Sequence, residues 1–182
     1  MVDPEAGGME KFMNPGEHTN AFFRLDPDNT LHKILDGCVV PNGTSWTYDD
    51  KTMYWTDTPS GIFAFDYDSE SGAMSNKRIF LKPQGDSKTT AAPDGHVMDE
   101  EEHLWVSLCG SGKVVRVNPK GEIVAEVLLP DCPNVTCPCF VGTELWITSI
   151  GAGSDAGKHG GALFKVDVGV KGKKKPEFKL KQ

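Results

Sequence analysis

Apolar and polar residues alternate with a period of two over short runs, and nearly every run is closed by glycine, proline or an Asp/Asn turn. No long stripe of 3.6-residue period survives without a breaker, so the pattern predicts an all-β chain. Three stretches align with one another. Thr52-Met-Tyr-Trp55-Thr-Asp57 leads to Gly61-Ile-Phe-Ala-Phe-Asp66, His103-Leu-Trp105-Val-Ser107 leads to Gly112-Lys-Val-Val-Arg-Val117, and Glu144-Leu-Trp146-Ile-Thr148 leads to Gly161-Ala-Leu-Phe-Lys-Val166. Upstream of each Trp strand lies a short strand beginning at Asn42, at Asp94 and near Cys137; downstream lies a fourth, such as Gly121 to Leu128. Four strands at this spacing make one blade of a β-propeller, and the tryptophans recur at close to the ~40 to 50 residues expected per blade.

The N-terminal portion offers only the outer half of a blade, Ala21 to Leu25 and Leu31 to Leu35, hinged at Asp26-Pro27-Asp28-Asn29. The count is roughly three and a half blades, whereas propellers usually close with about four to eight. The expectation for residues 1–182 is therefore one partial propeller domain whose first blades are missing, either truncated or closed by another chain. Trp46, Trp55, Trp105 and Trp146 are expected to pack between blades.

Composition narrows the functional classes. The 182-residue chain is 38% hydrophobic and carries a formal charge of -7 with pI ≈ 5.2, so it lacks the basic field that nucleic acid or an anionic membrane surface would require. The basic run Lys171 to Lys175 reads as a solvated hairpin tip. No apolar run approaches the ~18 residues of a membrane helix, and Met1 to Glu5 lacks a basic flank and an apolar segment, which predicts a soluble, cytoplasmic chain. Cys132, Cys137 and Cys139 lack a second ligand pair at zinc spacing and are expected as reduced, partly buried thiols. The sequons at Asn42 and Asn134 carry no weight without an export signal.

Candidate chemistry sits in two loops, Pro41-Asn42-Gly43 and Pro93-Asp94-Gly95. The innermost strand of a blade lines the central channel, so a polar residue at its start faces the axis. A carboxamide oxygen and a carboxylate are hard donors suited to calcium, magnesium or manganese, and zinc also accepts the carboxylate. The same tripeptides are ordinary turns in which glycine supplies positive φ. Recurrence at one blade position favours a site and predicts that Asn42 and Asp94 lie within ~6 Å of each other, as joint ligation requires. Asp57 and Asp66 end strands and read as backbone caps, His96 as an inner-strand residue, and His103 as a turn residue.

The order Pro41-Asn42-Gly43-x-x-Trp46, Tyr54-x-x-Asp57, Phe65-Asp66-Tyr67-Asp68, Pro93-Asp94-Gly95, Leu104-Trp105-Val106 and Gly112-x-Val114-x-Arg116 resembles the regucalcin (senescence marker protein) and gluconolactonase family over nearly the whole chain. The resemblance implies a six-bladed propeller that hydrolyses a sugar lactone with one divalent metal ion. It implies Asn42 and Asp94 as metal ligands, Asp94 also as the base, and Glu17 near the substrate pocket by loop position. The family's first-blade glutamate, in an E-G-P-x-W motif, has no match here, and Ala6 to Phe12 departs from the family's G-R-x-W-x-G-T strand. The rival readings are a catalytically inactive propeller that binds calcium or another protein, and a receptor-type module suggested by Tyr54-Trp55-Thr56-Asp57, whose motif decays in the later blades.

Overall fold

The computed structural model describes residues 20–58, 60–84, 91–151, 156–174 and 176–179. Thirteen strands are present among them: β1 Asn20–Leu25, β2 Leu31–Cys38, β3 Val40–Trp46, β4 Thr52–Thr58, β5 Gly61–Asp68, β6 Ala73–Leu81, β7 Ala92–Met98, β8 Leu104–Cys109, β9 Lys113–Val117, β10 Ile123–Leu128, β11 Val135–Val141, β12 Glu144–Ser149 and β13 Phe164–Asp167. They form antiparallel sheets in chain order: β1-β2, β3-β4-β5-β6, β7-β8-β9-β10 and β11-β12-β13. This is an arc of a β-propeller, with two full four-stranded blades flanked by a two-stranded and a three-stranded sheet.

Sheets stacked face to face must bury both faces of their inner strands, and the cores lie between blades. β1-β2 meets the first full blade through Phe22 and Leu35 against Met53, Trp55 and Phe65. The two full blades share Tyr54, Ile62, Ala64 and Leu81 with Leu104, Val106, Val115 and Val117. The last junction brings Val97, Trp105 and Val114 against Val135, Leu145 and Ile147.

Trp46, Trp55 and Trp105 pack into cores between blades, whereas Trp146 lies under Lys165 of its own sheet, and Trp55 is out of step with the later two. Trp55 lies opposite Thr44 on the inner strand, whereas Trp105 lies opposite Val97 and Trp146 opposite Cys139. Counted from the shared irregularity in each inner strand, Tyr54 is the counterpart of Trp105 and Trp146. A one-residue offset on a strand reverses the face. Trp55 accordingly turns back onto Phe22, with ring centroids 5.6 Å apart, while Trp105 turns forward onto Phe140 at 6.2 Å.

The lysine run is not a solvated hairpin tip. The Lys171 carbonyl accepts the Glu100 amide, Gly172 bridges Asp99, and Lys173 Nζ donates to the carbonyls of Trp46 and Thr47 at 2.6 and 2.8 Å. The segment crosses the ends of β7 and β3 because those strand-end carbonyls are acceptors that an ammonium can satisfy. Lys175 lies outside the described residues.

Sequence reading passed over the most heavily bonded acid. Asp99, fully buried after β7, accepts from the Trp105 indole at 3.0 Å, from Arg116 Nε at 2.8 Å, and from the amides of Glu101 and His103. Removing it strands two side-chain donors and two amides. Asp99→Ala is expected to cost about 2 to 4 kcal/mol of stability, discounted from the fully buried case because Arg116 also pairs with Glu101. Urea denaturation checks this, with Glu101→Ala expected to shift the midpoint far less.

Candidate metal centre

The loops Pro41-Asn42-Gly43 and Pro93-Asp94-Gly95 are not turns. Both lie inside inner strands, and in each the pairing slips once: two residues, Asn42-Gly43 or Asp94-Gly95, face the single residue Thr56 or Ser107. The third inner strand does the same, with Thr136-Cys137 facing Thr148. One β-bulge therefore recurs in three successive blades, always opposite a hydroxyl residue. Such bulges re-aim side chains and bend the strand.

The glycines serve close approach rather than positive φ, which neither Gly43 nor Gly95 adopts. A Cβ on Gly43 would sit 2.7 Å from the His96 amide nitrogen, and one on Gly95 would sit 2.9 Å from Cys137 Cα. Successive inner strands thus touch at the bulge. Asp57 fixes the entry to β3, its carboxylate accepting the amides of Val39 and Val40 at 3.0 and 2.8 Å, a backbone cap as expected. Asp66 is different. It is exposed within β5 and pairs with Arg78 at 2.7 Å and Asn76 at 3.1 Å, because β6 brings those side chains opposite.

Within this frame Asn42 and Asp94 meet: Asn42 Nδ2 donates to Asp94 Oδ1. Burial pushes the Asp94 carboxyl up to about 6, against the lowering effect of the Asn42 amide and the Gly95 backbone N–H. Among the described residues no lysine or arginine contributes to holding its charge. A half-buried carboxylate beside a carboxamide, with no cationic partner among the described residues, is a donor set that fits a hard divalent ion. Among the described residues no group of three or more His, Cys, Asp or Glu side chains is placed to hold a metal ion, so this pair is what the described residues offer there. The third bulge turns its hydroxyl aside, Thr136 Oγ1 lying 2.7 Å from Thr148 Oγ1.

The remaining candidates separate from the pair. His96 is an inner-strand residue, buried, with its ring pushed down to about 4 by burial. His103 is in the turn before β8, its Nδ1 2.9 Å from the Glu101 carbonyl. Cys137 and Cys139 are exposed rather than partly buried, whereas Cys132 is buried. Glu17 lies outside the described residues.

These features define a class, a β-propeller with oxygen donors gathered at the start of its channel-lining strands. Residues 5–151 match the family described as SMP-30/Gluconolactonase/LRE-like region, and the chain belongs to that family. It is 34% identical to regucalcin of Xenopus laevis over 94% of its own length and 62% of that protein, and equally similar to regucalcin of Homo sapiens. Among solved structures, a luciferin-regenerating enzyme superposes with a TM-score of 0.82 at 27% identity, covering 97% of this chain and 59% of that one. A calcium-binding regucalcin from Agrobacterium tumefaciens, at 24% identity, shares the fold with a TM-score of 0.80 over 91% of this chain and 58% of that one. The chain spans about three fifths of the length of the curated relatives it matches.

The raised Asp94 carboxyl has a sign that can be measured. Between about 4 and about 6 the folded chain holds more protons than the unfolded one, so without metal its stability falls as pH rises through that window. Asp94→Asn is expected to flatten that slope and to be more stable than the parent at pH 7 by about 1 to 3 kcal/mol, from ~1.4 kcal/mol per pH unit and allowance for partial exposure. Urea midpoints of both proteins at pH 4 and pH 7 check it.

Proposed function

We propose that this chain forms part of a metal-dependent sugar-lactone hydrolase, with Asn42 and Asp94 as ligands to one divalent ion. The observation that carries the reading is the contact between Asn42 and a half-buried Asp94 with no cationic partner among the described residues. Membership of the gluconolactonase-like family supports it. The ion, when bound, supplies Lewis-acid polarisation of the lactone carbonyl. The Asn42 carboxamide oxygen, free of the bond that its nitrogen makes, is the second hard donor. Asp94, ionised above about pH 6, accepts the proton of the attacking water. As the new C–O bond forms and the ring C–O bond breaks, the same carboxyl returns that proton to the departing alkoxide. Calcium, magnesium, manganese and zinc all suit these donors, and a soluble cytoplasmic setting agrees with the acidic composition. Among the described residues no helix is long and apolar enough to cross a membrane.

An inactive module that binds metal alone is the second reading, favoured by the lack of a third acidic or histidine ligand among the described residues. Turnover separates the two. Calcium or zinc is expected to raise the melting temperature at pH 7.5 and to have little effect at pH 5, where Asp94 is protonated. D-glucono-δ-lactone hydrolysis, followed by proton release, is expected to require added metal and to fall roughly a hundredfold or more in Asp94→Asn. Metal-dependent melting without turnover would support the inactive module; neither response would overturn both.

A further inference from the structure

The His96 ring bridges hydroxyls on two strands of the preceding blade, and the chain of hydrogen bonds has a direction. Thr56 Oγ1 lies 2.9 Å from Nδ1, and Ser45 Oγ lies 3.0 Å from Nε2. Thr56 is fully buried, and the imidazole is its hydroxyl's one hydrogen-bond partner among the described residues. A buried O–H without an acceptor costs about 1 to 3 kcal/mol, so Thr56 donates to Nδ1. A neutral imidazole has one donor nitrogen and one acceptor nitrogen. With Nδ1 accepting, Nε2–H donates to Ser45 Oγ, and the Ser45 proton ends the relay. This direction also removes Ser45 as a base-activated nucleophile, because the nitrogen beside it has no free lone pair.

Ser45 and His96 open onto a cavity of about 980 Å³ that neither Asn42 nor Asp94 lines. Trp46 and Tyr67 form one wall, their rings 5.9 Å apart and edge to face, with Met98 among the apolar lining. Lys173 also lines it, held by the carbonyls of Trp46 and Thr47 and 5.0 Å from the Tyr48 ring centroid. An ammonium carries three protons, and these two bonds leave one. The acids on the rim, Asp50 and Glu177, are exposed, which weakens their field inside. The cavity therefore combines an oriented hydroxyl donor, a fixed cation and aromatic walls.

We propose that this cavity is a second binding site, separate from the metal centre, for a small carboxylate carried on a planar ring. Ser45 and Lys173 take the carboxylate, and Trp46 and Tyr67 take the ring. Charge-assisted bonds to a carboxylate are the stronger kind, and an aromatic wall favours a flat hydrophobic face.

Calorimetric titration of the whole chain with benzoate tests it, with benzamide as the uncharged isostere. Saturable benzoate binding is expected, at least roughly tenfold weaker for benzamide, and unchanged by added calcium. Ser45→Ala and Lys173→Met are each expected to weaken benzoate about tenfold, while Lys173→Arg retains it and shows that charge rather than fold was lost. No saturable benzoate binding, equal binding of benzamide, or undiminished binding in Ser45→Ala and Lys173→Met would overturn the assignment. Competition by calcium would overturn the separation of the two sites.

Discussion

The contact on which the rest depends is the close approach of successive inner strands at their bulges. Gly43 lies against His96 and Gly95 against Cys137, with no room for a Cβ in either place. Backbones at that distance pull Asn42 and Asp94, separated by a whole blade in sequence, into side-chain contact. The third bulge carries Cys137 at the position the glycines occupy. Cys137 is the residue approached, and its thiol fills the space that glycine leaves in the preceding strand.

Around that axis the blades are held by two kinds of force. Interdigitated apolar faces supply the bulk, as β4 and β8 show by burying residues of both faces against different neighbours. Polar fasteners then fix orientation where strands end. Asp57 gathers the amides that open β3, and Asp99 ties the end of β7 to Trp105 and Arg116. Lys173 does the same from a distance of more than a hundred residues, sealing the far end of β3. The two carboxylates are structural, and their burial follows from the backbone and side-chain groups that they satisfy, whereas the ammonium keeps one proton beyond the two carbonyls it holds.

Much of the fold was legible because strands announce themselves by alternation and blades by recurrence. The half-blade hinged at Asp26 to Asn29, the two full blades and the pairing of Asn42 with Asp94 all follow from that reading. What escaped it was register. Trp55 imitates Trp105 in the sequence, yet Tyr54 holds the equivalent place, and only the bulge reveals the offset. A signal was present in the hydroxyl residues opposite each bulge, Thr56, Ser107 and Thr148, which keep step where the tryptophans do not. Asp99 and Lys173 were missed for another reason: their partners lie in turns and strand ends whose free donors and carbonyls no local pattern marks. The P-x-G tripeptides misled in a third way, since close approach and a turn both select glycine.

The electrostatics of β7 explain how the proposed metal centre and the separate cavity share one strand. Burial acts in opposite directions on its two titratable groups, raising the Asp94 carboxyl and lowering the His96 imidazole, because in each case it disfavours the charged form. At neutral pH the strand therefore presents one negative charge at its start and a neutral ring two residues on. A protonated imidazole there would compete with any cation drawn to Asp94. Keeping it neutral leaves the carboxylate's field uncompensated where the oxygen donors gather, and frees the ring to act as a directional link between Thr56 and Ser45. Two residues of one strand, opposed in charge tendency and separated by Gly95, thus give the strand an anionic end and an uncharged hydrogen-bonding stretch.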